Sequence, residues 1–239
     1  MFASPSIDAH QRRRTPSLWD GGAGFASLGR RVAKAVSQAL LPSSIVVWRG
    51  ASDDRRVALT FDDGPTELTQ AYLAVLDRVG ARATFFVLGE QCSRWPGVVA
   101  EIARRGHELA NHGYSHITFP QLQRKGLLLN ELARTAILLP ATGRRPMVRP
   151  PHGDVSFSSL VASARAGFTT VLWSHDSGDW CTESAGQVVR GVLDVDVPGG
   201  SIVLLHEGQT WTLDALPAIL NGLKEAGHEL VTVGELLAR

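Results

Sequence analysis

The sequence predicts an α/β fold in which parallel βα units form a barrel, and three observations carry that prediction. First, a helix-like stretch ends at glycine and a strand-like run follows, four times over. The phrases are Arg78-Val79-Gly80 before Ala83–Val87, Arg104-Arg105-Gly106 before His107–Ala110, Arg165-Ala166-Gly167 before Phe168–Trp173, and Glu225-Ala226-Gly227 before His228–Val231. Glycine there suits a left-handed helix C-cap, and basic residues beside it suit the negative helix end. Second, helix, glycine and buried strand in repetition is the pattern of parallel βα units. Third, Val57–Phe61 and Ser201–Leu205 bring the count to about six or seven strands, and polar residues gather at the C-terminal ends of several of them. That placement favours a barrel over an open sheet.

Taken in order, residues 1 to about 24 form a polar lead-in containing Arg12-Arg13-Arg14 and Gly21-Gly22-Ala23-Gly24. Over 25–41, Phe25, Leu28, Val32, Val36, Ala39 and Leu40 recur at helical spacing, with Arg30, Arg31 and Lys34 among the polar positions. The apolar stripe can pack on the following domain, and its basic face also suits weak contact with an anionic membrane surface. Pro42 stops it. Further helices are expected at Glu67–Val79, Trp95–Arg105, Gln121–Leu139, Ser158–Ala166, Gln187–Leu193, Leu213–Ala226 and Gly234–Ala238. No linker interrupts 45–239, so the sequence divides into an N-terminal extension, 1–44, and one domain, 45–239.

Bulk composition narrows the function. The chain has 239 residues, enough for one sizeable core. Lys+Arg of 24 against Asp+Glu of 23 leaves a net charge of +1, which argues against a nucleic-acid partner. Hydrophobic content of 44% is ordinary for a soluble globular protein, and no apolar run approaches the ~20 residues a membrane helix needs. Cys92 and Cys181 stand far apart in no metal or redox pattern, and read as packed or idle thiols. The N-terminus lacks the charged, apolar and small-residue succession of a secretory leader, so the expected location is the cytoplasm.

Chemistry concentrates at strand ends. Thr60-Phe61-Asp62-Asp63-Gly64-Pro65 closes the apolar run Val57-Ala58-Leu59 with adjacent carboxylates and a turn. Neighbours on a strand point to opposite faces, so both acids share a pocket only past the strand's end. Taken alone this is a turn with a local Asp cap. Asn111-His112-Gly113-Tyr114-Ser115-His116 follows another strand; two histidines four apart share one face if the stretch is helical. With Asp63 they supply two nitrogens and one oxygen, the ligand set of a catalytic rather than structural metal site. Arg149-Pro150-Pro151-His152-Gly153 aims a guanidinium with a rigid backbone behind it, or else is a rigid surface turn. Asp176-Ser177-Gly178-Asp179-Trp180 and Leu204-Leu205-His206 place acids, an indole and an imidazole at two further strand ends.

Together the five segments, Thr60–Pro65, His112–His116, Arg149–Gly153, Asp176–Trp180 and Leu204–His206, resemble in order the signature of the NodB-like polysaccharide deacetylases, carbohydrate esterase family four. The resemblance covers roughly 45–239. It implies a distorted (β/α) barrel of about seven parallel strands, the NodB homology domain, holding one divalent metal: usually zinc, in some members cobalt or manganese. Asp63, His112 and His116 would be its ligands. Asp62 would be the general base and Arg149 would hold its carboxylate. His206 would protonate the leaving amine, with Asp179 orienting its ring. Trp180 and Leu204 would line the acetyl pocket, and the backbone N–H of His152 would face the oxyanion.

The implied activity is hydrolysis of N-acetyl groups on N-acetylglucosamine units of an oligosaccharide or glycan precursor. A deformylase or O-acetyl esterase of a sugar is the alternative within that chemistry, and an inactive sugar-binding scaffold the alternative outside it. Two positions depart from the family pattern. Gly113 stands where Ser or Thr is common, which removes a side-chain hydrogen bond from the metal loop, and His152 stands where many members have Tyr.

Overall fold

The computed structural model describes residues 41–51, 55–141 and 143–238. The extension over 1–44, including the helix expected over 25–41, lies outside the described residues except for its last few positions. Strands are β1 (Val46–Val47), β2 (Arg56–Asp62), β3 (Thr84–Val87), β4 (Glu108–Asn111), β5 (Met147–Val148), β6 (Thr169–Val171), β7 (His175–Asp176), β8 (Ile202–His206) and β9 (Glu229–Val231). Helices are α1 (Thr69–Arg78), α2 (Gly89–Arg94), α3 (Pro96–Arg104), α4 (Phe119–Arg124), α5 (Leu128–Ala136), α6 (Phe157–Arg165), α7 (Ala185–Leu193), α8 (Thr210–Glu225) and α9 (Val233–Leu237).

Every pairing is parallel, in the order β1-β6-β5-β4-β3-β2-β8-β7. β9 pairs the start of β2, Arg56 to Ala58, while β3 pairs its end, Thr60 to Asp62. The result is the distorted βα barrel expected, with β7 and β1 at its two ends. The additional strands β1 and β7 are two residues each, too short to leave a periodic signal.

Alternation along β2 sorts the core. Val57, Leu59 and Phe61 face outward into a cluster with Tyr72, Leu73 and Leu76 of α1 and Leu216, Ile219 and Leu220 of α8. Ala58 faces inward with Phe86, Ala110, Val171, Ile202 and Val231. Above this apolar floor the interior turns polar, because the next inward positions of β2 are Thr60 and Asp62. The filler at that level is Arg149, fully buried. Its guanidinium donates to Thr60 Oγ1 and Asp62 Oδ1, both at 2.7 Å, and to the carbonyls of Val171 and Leu172, both at 3.2 Å. It lies 3.9 Å over the Phe86 ring. A buried guanidinium costs several kcal/mol in desolvation, which only such complete pairing offsets.

Two expectations are corrected. The helix expected over Gln121–Leu139 is two helices: Gly126 takes φ +70°, and Leu127 N–H donates back to the Leu122 carbonyl, a Schellman-type stop. The stretch His112–His116 is a loop, with Gly113 at φ +84° and His116 at φ +59°. The short helix α2 was not expected; its six residues include Gly89 and Ser93, which obscure its pattern.

Candidate active site

Asp62, Asp63, His112, His116, Arg149, His152, Asp179 and His206 gather at the C-terminal ends of the strands. Asp62 is the last residue of β2 and faces the interior. Asp63 lies just past it with φ +77°, a left-handed turn that brings the second carboxylate to the same side as the first. The peptide Gly64-Pro65 is cis. Gly64 is held to its type by close packing, since a Cβ there would lie 1.8 Å from Glu207 Oε2.

Asp63 Oδ1 stands 3.1 Å from His116 Nε2 and 3.4 Å from His112 Nε2. One ligand atom from each of the three residues lies within 4.8 Å of the others. Asp63 Oδ1 is buried and accepts no hydrogen bond of acceptable geometry. Burial opposes ionising Asp63, but His116 and His112 beside it hold its carboxyl well below the usual carboxylate range. His112 is fixed for ligation, because its Nδ1 meets the Arg149 carbonyl at 2.8 Å and Nε2 therefore points at Asp63. A carboxylate oxygen and two imidazole nitrogens converging on one point fit a divalent cation, with coordination positions to spare. The two histidines reach it by the reversal of a loop, not by sharing a helical face. Their rings are 5.3 Å apart, and the His152 ring packs edge-on against His116 at 4.7 Å.

Arg149 serves both sides of the cluster. Its carbonyl orients His112, and its guanidinium holds Asp62 Oδ1. Asp62 Oδ2 is left facing the cluster, 3.8 Å from His112 Nε2. The neighbouring imidazole is His206, which β2–β8 register places directly beside Asp62. Asp179, fully buried, receives three bonds: from His206 N–H at 2.7 Å, His206 Nδ1 at 2.7 Å and Thr212 Oγ1 at 2.9 Å. Trp211 Nε1 donates to its backbone carbonyl. Burial works against protonating His206, but the Asp179 carboxylate outweighs it and raises the imidazole to about 9.

Leu204 lies on the inward face of β8, two residues before His206, and is buried. Trp180 is half-buried on the turn beside Asp179, with its Nε1 donating to Asp176 Oδ1. Both cysteines are free thiols, Cys92 buried and Cys181 exposed. The sequence reading missed Glu131, whose carboxylate reaches into the His112–His116 loop, and Thr212 and Trp211, which complete the Asp179 site. Thr212 and Trp211 sit within six residues of His206, a proximity that could have drawn attention to them; Glu131 had no local signal.

A family model described as polysaccharide deacetylase matches residues 49–171. Over 205 residues the chain is 34% identical to a peptidoglycan-N-acetylglucosamine deacetylase of Bacillus cereus, covering 83% of this chain and 95% of that protein. It is 35% identical over 212 residues to the peptidoglycan-N-acetylglucosamine deacetylase PgdA of Listeria monocytogenes, covering 86% of this chain and 44% of the relative, so it spans less than half of that relative's length. A crystal structure of a peptidoglycan N-acetylglucosamine deacetylase in complex with a naphthalenyl N-oxidanyl-benzamide superposes with a TM-score of 0.75, at 32% identity, over 81% of this chain and 92% of that one.

Proposed function

The chain belongs to the polysaccharide deacetylase family, and from that premise we propose that it is a metal-dependent hydrolase removing N-acetyl groups from N-acetylglucosamine units of a glycan. The observation that carries the proposal is that the β2–β8 register sets Asp62 and His206 side by side next to the converging donors of Asp63, His112 and His116. A divalent ion held by those three residues would lower the pKa of a water toward ~7 and polarise the acetyl carbonyl. Zinc suits the two-nitrogen, one-oxygen set, and cobalt or manganese are the other candidates.

Each residue then has one task. Arg149 engages one oxygen of Asp62, so the other is aimed into the site and takes the proton of the attacking water. We assign oxyanion contact to the backbone N–H of His152. His206 donates its Nδ1–H to Asp179, which leaves Nε2–H to protonate the departing amine as the C–N bond breaks. With its pKa raised to about 9, His206 is protonated at neutral pH and ready as an acid. Leu204 and Trp180 are assigned to the acetyl methyl's pocket.

The relatives' names bring peptidoglycan forward as the polymer to test, beside the oligosaccharide that the sequence resemblance implies. The cytoplasmic location and the membrane contact proposed for 25–41 rest on residues outside those described; among the described residues, no helix is long and apolar enough to cross a membrane. The test is acetate release from chitotetraose and from peptidoglycan by metal-stripped protein, with zinc or cobalt added back. Metal should restore turnover, and Asp62→Asn should lower it by at least ~10²-fold. Metal binding without acetate release from either substrate would overturn the acetyl reading and move the search to formylated sugars.

A further inference from the structure

We propose that Glu131, on the outer helix α5, is a positioning residue for the loop that carries His112 and His116, and that it sets the affinity of the site for its divalent ion. The proposal rests on the metal reading above. Leaving β4 at Asn111, the chain must reverse within a few residues to bring His116 back beside His112. It does so through left-handed backbone at Gly113 and at His116, a conformation uncommon for histidine. Such backbone persists only where its surroundings over-determine it. Gly113 has no side chain to contribute, and its position next to the first ligand is where support is most needed.

The support comes from elsewhere. Asn111 Oδ1 accepts the Gly113 N–H at 2.8 Å, and Asn111 Nδ2 donates to the Leu132 carbonyl of α5 at 2.8 Å. Thr135 Oγ1, also on α5, donates to the Gly113 carbonyl at 2.9 Å. The first two N–H groups of α2 donate to the carbonyls of Gly113 and Tyr114. Glu131 stands apart because one oxygen gathers three donors: Tyr114 N–H at 3.2 Å, Ser115 N–H at 2.9 Å and Ser115 Oγ at 2.8 Å. All three belong to the two residues just before His116. Glu131 is 8% exposed, so these charge-assisted bonds compete little with water. Arg134 stands near its other oxygen, 3.9 Å away, and lies over the Tyr114 ring at 3.5 Å. Glu131 thus reaches the ion's site only through the backbone it holds.

Supporting partners of metal ligands are typically worth ~10–100-fold in metal affinity. The test titrates full-length, metal-stripped wild type, Glu131→Gln, Glu131→Ala and Thr135→Val with Co²⁺, following its visible absorption, while circular dichroism reports folding. Glu131→Ala is expected to weaken Co²⁺ binding by ~10–100-fold, and Glu131→Gln, which keeps an acceptor oxygen, to recover most of that loss. A folded Glu131→Ala with wild-type affinity would overturn the proposal. If Glu131→Ala does not fold, Glu131→Gln decides: Co²⁺ binding several-fold weaker than wild type supports the proposal, and wild-type affinity overturns it, whatever is found for Thr135→Val, which leaves Glu131 in place. Failure of the wild type to take up Co²⁺ would remove the metal reading itself, an outcome distinct from either.

Discussion

His206 sits in the regular backbone of β8, and its partner Asp179 is tied by hydrogen bonds from within the fold, whereas Asp63, His116 and His152 all occupy left-handed backbone in loops. The acid side of the site is complete as the protein stands: donor, acceptor and the hydroxyl behind them are all paired. On the metal side a buried carboxylate oxygen faces two ring nitrogens without a hydrogen bond. One half is held by its own chain. The other is held partly by α2 and α5, and under the proposed function a cation would complete it. The difference teaches where each half should be vulnerable.

The largest effects should separate the halves outright. Asp63→Ala should abolish both metal uptake and turnover, whereas His206→Ala should lower kcat by ~10²–10⁴-fold and leave Co²⁺ affinity unchanged. Calorimetric metal titration of both variants, beside their turnover, is the check; weakened metal binding in His206→Ala would break the division.

A smaller effect should appear as pH dependence. Asp179 raises His206 to about 9, so under the proposed function the alkaline limb of kcat should follow loss of that proton. Asp179→Asn should move the limb from about 9 toward the ordinary histidine value near ~6.5. The sign for stability is the same. A folded pKa above the unfolded one gives a contribution that is full below the unfolded value and is lost as pH rises through about 9. The melting-temperature gap between wild type and Asp179→Asn should therefore be widest in acid and narrow as pH rises; a constant gap would count against the linkage. The smallest effect sharpens the same half. Thr212→Val removes one of three donors to the Asp179 carboxylate and should cost about 1 kcal/mol of stability, read in denaturant melts, with the metal affinity untouched.

How far the sequence could be read follows the same division. The parallel architecture was legible because glycine C-caps and apolar runs are local signals, as Gly80, Gly106, Gly167 and Gly227 all take positive φ. Strand-end chemistry was legible because Asp62, Asp63, His112, Arg149 and His206 directly terminate such runs. What could not be read depends on distant packing. Glu131 lies in a helix whose expected span ran through Gly126, and only the stop at that glycine turns the second segment toward the metal loop. The helical reading of His112–His116 failed for a related reason: four-residue spacing fits a helix turn, but Gly113 and the bonds from α5 favour a reversal instead. The carbonyl of Arg149 on His112 leaves no trace in sequence at all.

The pairing of β2 with β8 sets Asp62 against His206, and the Glu207 N–H bonds back to the Asp62 carbonyl at 2.8 Å. The separation of these two side chains is therefore written in strand register. Register changes only in whole residues, and one step would turn His206 away from the site and bring Glu207 opposite Asp62. The gap between Asp62 and His206, the proposed base and acid, is accordingly a quantised dimension that gradual substitution cannot widen or narrow. Variation in what the site accepts is left to the loops above it, where His152 and Trp180 stand.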